Sequence, residues 1–310
     1  MAPSASLLLL LLLGLSQALP LLENKDRDGE NHGDEGKDAD HDVYDDEEKQ
    51  QDHDGDNNGD EDKDGNHDVY DNEEEKEDHV DISTRILVAN NNSDVMFVEG
   101  DMVAPTSRNA MKCYYNSCLW RKSLNGLVMI PYVIGNEFGG YERQVIQGAM
   151  GAFASQTCIR FIPRTNENDF VMIVSKTGCY SALGRTGGMQ ELSLNKAGCI
   201  YGGIAQHELN HVLGFQHEQT RSDRDYYVRI NYENIIPSTA YNFEKHDTNN
   251  LNTPYDYSSV MHYGRDAFSI GPGRYTITPI PNPNTPIGQR NGLSSWDITR
   301  IKMLYSCQQR

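Results

Sequence analysis

Apolar positions divide this 310-residue chain into stretches that follow different rules. Leucine runs unbroken from Leu7 to Leu13, and the small-residue stretch Gly14-Leu-Ser16-Gln-Ala18 follows. That pattern predicts a signal peptide over residues 1–18, and it is too short to span a bilayer. Residues 20–82 lose almost every apolar position. Apolar residues return at Ile82, Ile86, Leu87 and Val88, then at Val95, Met96, Phe97 and Val98. Beyond residue 108 the periodicity becomes that of a folded domain. Leu127–Val133, Ile159–Phe161 and Phe170–Val174 predict strands, the last two buried. Tyr141–Gln156 predicts a helix with Val145, Ile146, Met150 and Phe153 on one side. Gly187–Leu194 predicts a partly exposed edge strand, able to pair with an extended peptide. Ile204–Leu213 and Asp297–Tyr305 predict further helices. Between Gly214 and Asp297 the chain is rich in Asn, Pro, Gly and Tyr with little periodicity. The expected fold class is α+β: an upper α+β subdomain, an irregular lower one and a cleft between them.

Charge sharpens the division. The chain carries 27 Lys and Arg against 46 Asp and Glu, a net −19. Residues 1–108 hold 8 basic and 31 acidic residues, or −23. The remaining 19 basic and 15 acidic residues leave 109–310 at +4. The acidity therefore belongs to the N-terminal part, and nothing in the balance points to nucleic acid. Residues 20–82 have too little apolar surface to offset chain entropy and are expected to be disordered. They contain a duplication, His41-Asp-Val-Tyr-Asp45 and His67-Asp-Val-Tyr-Asp71. Asp60, Asp62, Asp64, Gly65 and Asp71 follow part of a calcium-loop spacing. Position twelve is Asp rather than Glu and no amphipathic helices flank it, so a solvated acidic spacer is the reading adopted.

The chemistry concentrates in His207-Glu-Leu-Asn-His211-Val-Leu-Gly214-Phe-Gln-His217-Glu218. His207 and His211 are four apart, so on a helix they share a face and reach one metal ion. Glu208 is displaced around the helix and addresses water rather than metal. Gly214 ends such a helix, because glycine takes a left-handed backbone cheaply. The chain then returns His217 as a third ligand. Three neutral nitrogens leave zinc an open position, which is the catalytic arrangement.

About 50 residues on stands Ser259-Val-Met261-His262-Tyr263. The two strings together resemble the astacin family of metzincin zinc endopeptidases. The resemblance implies an astacin-like two-subdomain protease over 109–310 with one zinc in the cleft. It implies that Met261 forms a Met-turn beneath the histidines. It implies that Tyr263 is a further zinc ligand that swings out to stabilise the oxyanion, and that Glu208 is the general base. Glu218 marks the subgroup and would receive the amino terminus freed by activation.

The same resemblance implies a propeptide over 19–108, with acidic 20–82 followed by a cleft-blocking segment, 83–108. Within it, Val98-Glu99-Gly100-Asp101 matches the Gly-Asp core of the family's latency motif, with the aromatic Phe97 shifted by one position. Asp101 would then ligate zinc in the latent form. Activation is expected between Arg108 and Asn109. Asn91-Asn92-Ser93 is an N-glycosylation acceptor on the same segment.

Six cysteines suit an oxidised, secreted protein and allow fifteen pairings, which spacing alone leaves open. The resemblance implies Cys158–Cys307, Cys179–Cys199 and Cys113–Cys118. The last pair and the start Asn109-Ala-Met-Lys resemble fish hatching enzymes. The expected protein is thus a secreted, latent zinc endopeptidase, with storage in secretory granules before release as a further expectation. Its partners would be an extended protein or peptide substrate and an activating protease, with no membrane span and no nucleic acid. The alternatives are a related fish astacin of blood-forming tissue, an inactive binding module, or an acidic matrix protein acting through residues 20–82.

Overall fold

The computed structural model describes residues 81–104, 117–289 and 291–308. The expected signal peptide, nearly all of the acidic stretch with its calcium-loop spacing, Arg108, Asn109 and Cys113 lie outside the described residues.

The upper part is a mainly parallel sheet whose central segments, Val128–Ile134 and Phe170–Val174, read as near-continuous apolar runs, as interior parallel strands do. Strands β3 (Val128–Ile134), β4 (Ile159–Pro163), β5 (Phe170–Val174) and β7 (Met189–Leu194) pair in parallel in the order β7-β5-β3-β4. Strand β6 (Cys179–Ser181) joins antiparallel to β7, with Tyr180 opposite Ser193. The helix of Gly140–Gln156 buries Ile146, Ala149, Met150 and Phe153. These pack in one cluster with Val128, Ile130, Val171 and Ile173 of the strands and with Ile204 and Leu209 of the following helix. Below the cleft a second cluster gathers Val228, Ile235, Phe243, Tyr255, Tyr263 and Ile277. Its regular structure is limited to short 3-10 turns and the pair β8 (Val228–Ile230) and β9 (Ile277–Pro279). Cys158–Cys307 and Cys179–Cys199 are both formed, with Cα separations of 5.3 and 5.8 Å. Cys118 is also disulfide-bonded.

Two expectations change. The strand expected at the cleft edge is interior, flanked by β5 and β6, and β6 is the outermost strand on that side that belongs to the protease part. At three residues β6 is too short to carry a periodic signal. The second change concerns residues 81–104, whose apolar return has no assigned structure in the sequence. They form helix α1 (Ile82–Asn90) and the hairpin β1 (Phe97–Val98) and β2 (Met102–Val103). Asp81 and Ile82, grouped by composition with the acidic stretch, cap and open α1. The Asp81 carboxylate accepts from Thr84 N at 3.1 Å. Strand β2 extends the sheet by pairing in parallel with β6, Met102 against Ser181. The pre-protease segment is therefore the outermost layer of the protease's own sheet. In chain order the later helices are α2 (Gly140–Gln156), α3 (Gly202–Val212) and α4 (Ser295–Leu304).

Candidate active site

Helix α3 holds His207 and His211 one turn apart, on a stretch buried from Gly203 to Val212 apart from Gln206. Gly214 stops it with φ at +99°, a conformation that strains any residue bearing a Cβ. Gly214 N donates to His211 O at 2.8 Å and Phe215 N to Asn210 O at 3.2 Å. This doubly bonded glycine C-terminus satisfies carbonyls the helix would leave open and reverses the chain. The reversal delivers His217 against the helix.

All three imidazoles are turned the same way by their outer nitrogens. His207 Nδ1 donates to Val260 O at 2.8 Å and His211 Nδ1 to Phe215 O at 2.7 Å. His217 Nδ1 lies 2.6 Å from Glu99 Oε2. Carbonyls and carboxylates only accept here, so each Nδ1 carries the proton and each Nε2 presents a lone pair inward. The inward nitrogens converge on Asp101. Its Oδ2 is 3.0 Å from His207 Nε2 and 3.2 Å from His217 Nε2, and its Oδ1 is 3.4 Å from His211 Nε2. His207 Nε2 and His217 Nε2 are 3.2 Å apart. His211 Nε2 and Asp101 Oδ1 are buried without a hydrogen-bond partner. Lone pairs facing each other in a dry site are costly unless a cation stands between them. Three nitrogens and one carboxylate, all within 4.8 Å of one another, form a donor set suited to four-coordinate zinc.

Glu208 is fully buried and neither carboxylate oxygen has a hydrogen-bond partner. Burial pushes its carboxyl well above the usual carboxylate range, and the charge of Asp101 adds to this. Beneath the histidines, Ser259–Tyr263 supplies Val260 O to His207 and buries Met261. Asp297 on α4 holds this segment, accepting from Ser259 Oγ at 2.6 Å and Val260 N at 2.9 Å. The Tyr263 hydroxyl donates to the backbone oxygen of Glu99. Glu218 is buried and already engaged. Arg300 grips it with two bonds of 2.6 and 2.9 Å, and Asp256 N donates at 2.7 Å.

The pre-protease segment reaches into this site from two anchors. Ser83 on α1 bonds Gly264 N at 3.0 Å. Asn90, at the other end, behaves like a piece of strand. It donates to Gly100 O and Cys179 O at 2.8 Å each and accepts from Cys179 N at 2.6 Å. Phe97 packs on Tyr180 with ring centroids 5.2 Å apart, so the shifted aromatic keeps a packing role. Asn91, first residue of the Asn-Asn-Ser motif, is exposed just past α1. Burial would raise the Glu99 carboxyl, but its bonds to His217 and His246 outweigh burial and hold it at about 2.

The structure thus brings together His207, His211, His217, Glu208, Tyr263, Met261 and Asp101. Sequence reasoning missed Glu99, Asn90, His246, Asp297 and Arg300 as parts of the site. Asp297 had a local signal, since Ser294 and Asp297 form a capping box for α4. The others act through long-range contacts that no local pattern encodes.

Comparisons with known proteins agree with this geometry. The peptidase family described as Astacin matches residues 116–306. High choriolytic enzyme 1 of Oryzias latipes is 61% identical over 308 residues, 99% of each chain. High choriolytic enzyme 2 of the same fish is 70% identical over 229 residues, 74% of this chain and 82% of that one. A solved structure of high choriolytic enzyme 1, a hatching enzyme zinc-protease, shares 73% identity with a TM-score of 0.63. The match covers 64% of this chain and 100% of that one. Family match, relatives and converging donors lead to one conclusion: this chain belongs to the astacin family of peptidases and is a zinc metalloendopeptidase.

Proposed function

We propose that the chain is made as a secreted, latent precursor. Its signal peptide is residues 1–18, its propeptide 19–108 and its protease 109–310. The observation that carries this reading is the Asp101 carboxylate standing among the three inward Nε2 atoms, where a substrate carbonyl or water would have to enter. Zinc, when bound by His207, His211 and His217, polarises the scissile carbonyl and makes water nucleophilic near neutral pH. Glu208 takes the proton of the attacking water and delivers it to the leaving amine. The Tyr263 hydroxyl, once freed from Glu99 O, donates to the developing oxyanion. Asp101 and the carbonyl of Glu99 thus occupy two of the groups the reaction needs.

An activating protease cuts after Arg108, and residues 81–104 leave the sheet edge at β6. That edge then accepts an extended substrate strand. The new ammonium of Asn109 approaches Glu218, joining a carboxylate that Arg300 already neutralises in part. Similarity to the choriolytic enzymes supports egg-envelope protein as the substrate.

The test is expression of the full chain, followed by limited cleavage. The precursor is expected to be inactive on a fluorogenic peptide. Cleavage that creates an Asn109 terminus is expected to release activity against isolated fish egg envelope. Full activity before cleavage would overturn the zymogen reading. Activity on casein but none on envelope would overturn the substrate.

A further inference from the structure

Glu99 lies two residues from Asp101, yet it does not face the zinc donors. Its side chain turns behind His217, and only 1% of the residue is exposed. Oε2 meets His217 Nδ1 at 2.6 Å, His217 N at 3.3 Å and Thr220 Oγ1 at 3.4 Å. Oε1 pairs with His246 Nε2. His246 is fixed to the same turn, because its own N donates to Thr220 O at 2.9 Å. Every donor in this seat belongs to the protease domain, and only the carboxylate comes from the pre-protease segment.

A second observation is independent of these contacts. Glu99 has φ at +53°, and Gly100 follows at +80°. Left-handed turn positions favour Gly, Asn and Asp, and a longer side chain there is held against a backbone cost. Gly100 has a steric reason for its identity, since a Cβ would lie 2.6 Å from Leu87 Cδ2. The turn itself gives no reason for Glu at 99. Outliers of this kind persist where the surrounding structure over-determines them.

We propose that the protease domain carries a second carboxylate-binding seat, built by His246 Nε2, the Thr220 hydroxyl, His217 N–H and His217 Nδ1–H. Glu99 fills it as a latency element that holds the outer edge of a zinc-binding histidine rather than a coordination position. The ligand class is the carboxylate of the chain's own pre-protease segment, so the inference rests on the zymogen reading above. Asp101 blocks the inward edge of His217, while Glu99 grips its outer edge and ties it to His246. The hairpin is therefore held by two carboxylates on opposite sides of one imidazole.

The test uses full-chain precursors: wild type, Glu99→Gln, His246→Leu and the double variant. Losing a charged hydrogen bond is worth about tenfold. Uncleaved Glu99→Gln is therefore expected to hydrolyse a fluorogenic peptide about tenfold faster than uncleaved wild type. The double variant is expected to leak no more than Glu99→Gln alone, because the pairing with His246 is already lost with the Glu99 charge. Amide exchange over residues 97–104 is expected to quicken by a similar factor, in zinc-loaded and in chelator-treated precursor alike. Glu99→Asn serves as a second variant, since Asn accepts the left-handed backbone but cannot reach His246. Cleavage releases the same protease from wild type and both Glu99 variants, so equal activity afterwards certifies their folding. Wild-type latency and exchange in both Glu99 variants would overturn the proposal, as would additive leaks in the double variant or an exchange effect lost on chelation. Asp101→Ala separates the two readings. If it stays latent, the zymogen reading fails; if it leaks while Glu99→Gln does not, only the second seat fails.

Discussion

Asp101 Oδ2 lies 3.0 Å from His207 Nε2, although 106 residues separate them in the chain. A carboxylate that precedes the matched family region thus joins the three histidines in one donor set. Its removal should open the site without touching the protease itself. Asp101→Ala is expected to raise the activity of the uncleaved precursor about tenfold or more, by analogy with the loss of other metal-site partners. A fluorogenic peptide assay before and after activating cleavage checks this. Activity after cleavage should match wild type.

Glu208 is not among the four metal donors, and neither of its oxygens has a hydrogen bond to lose. Glu208→Gln should therefore keep zinc at one per chain while peptidase activity falls by about 10²–10⁴-fold, the range for a positioned general base. Metal analysis beside the peptide assay separates the two effects. Normal turnover by this variant would refute the assignment of the base.

Chelation should leave inward-facing lone pairs and the Asp101 carboxylate uncompensated in a buried site. Stability gained from a metal that binds only the folded state grows with its concentration over Kd. A chelator is expected to lower Tm, by roughly 2–4 °C for each kcal/mol lost in a domain of this size. Added zinc should restore both Tm and activity. A Tm indifferent to chelator would mean the donors do not hold metal.

Gly214 sits at φ +99°, between the second and third ligands. Gly214→Ala is expected to cost on the order of 1 kcal/mol or more, because the native conformation is incompatible with a Cβ. The strain falls on the turn that aims His217, so zinc affinity should drop along with stability. Denaturant unfolding and zinc titration would report the two separately.

Asn90 makes three buried backbone hydrogen bonds that tie α1 to Cys179 and Gly100. Asn90→Ala leaves those backbone groups unpaired, at about 1–3 kcal/mol for each buried group not rescued by water. The precursor should lose protection of residues 81–104 in limited proteolysis and become partly active. After the proposed cleavage at Arg108 the variant and wild type should be equally active.

Much of the site is legible in order along the chain. His207, His211, Gly214 and His217 announce themselves because their spacing must satisfy one helix and one turn. The apolar runs at Val128–Ile134 and Phe170–Val174 announce strands for the same local reason. Helix α1 was harder to read. At nine residues it is marginal in water and exists through docking, with Asp81 capping its start. Strand β6, at three residues, carries no periodic signal, so in the sequence β7 reads as the outermost protease strand.

Order along the chain is enough to write down the chemistry: three imidazoles, a neighbouring carboxylate and a glycine where the chain must turn. These depend on contacts within about ten residues. Packing of the whole chain sets what surrounds that chemistry. Glu99 and Asp101 meet His217 across more than a hundred residues, Asp297 and Arg300 brace the site from the last helix, and β2 closes the edge at β6. The physical reason is that burial and hydrogen bonding between distant segments depend on where the whole chain packs, and no local period records that.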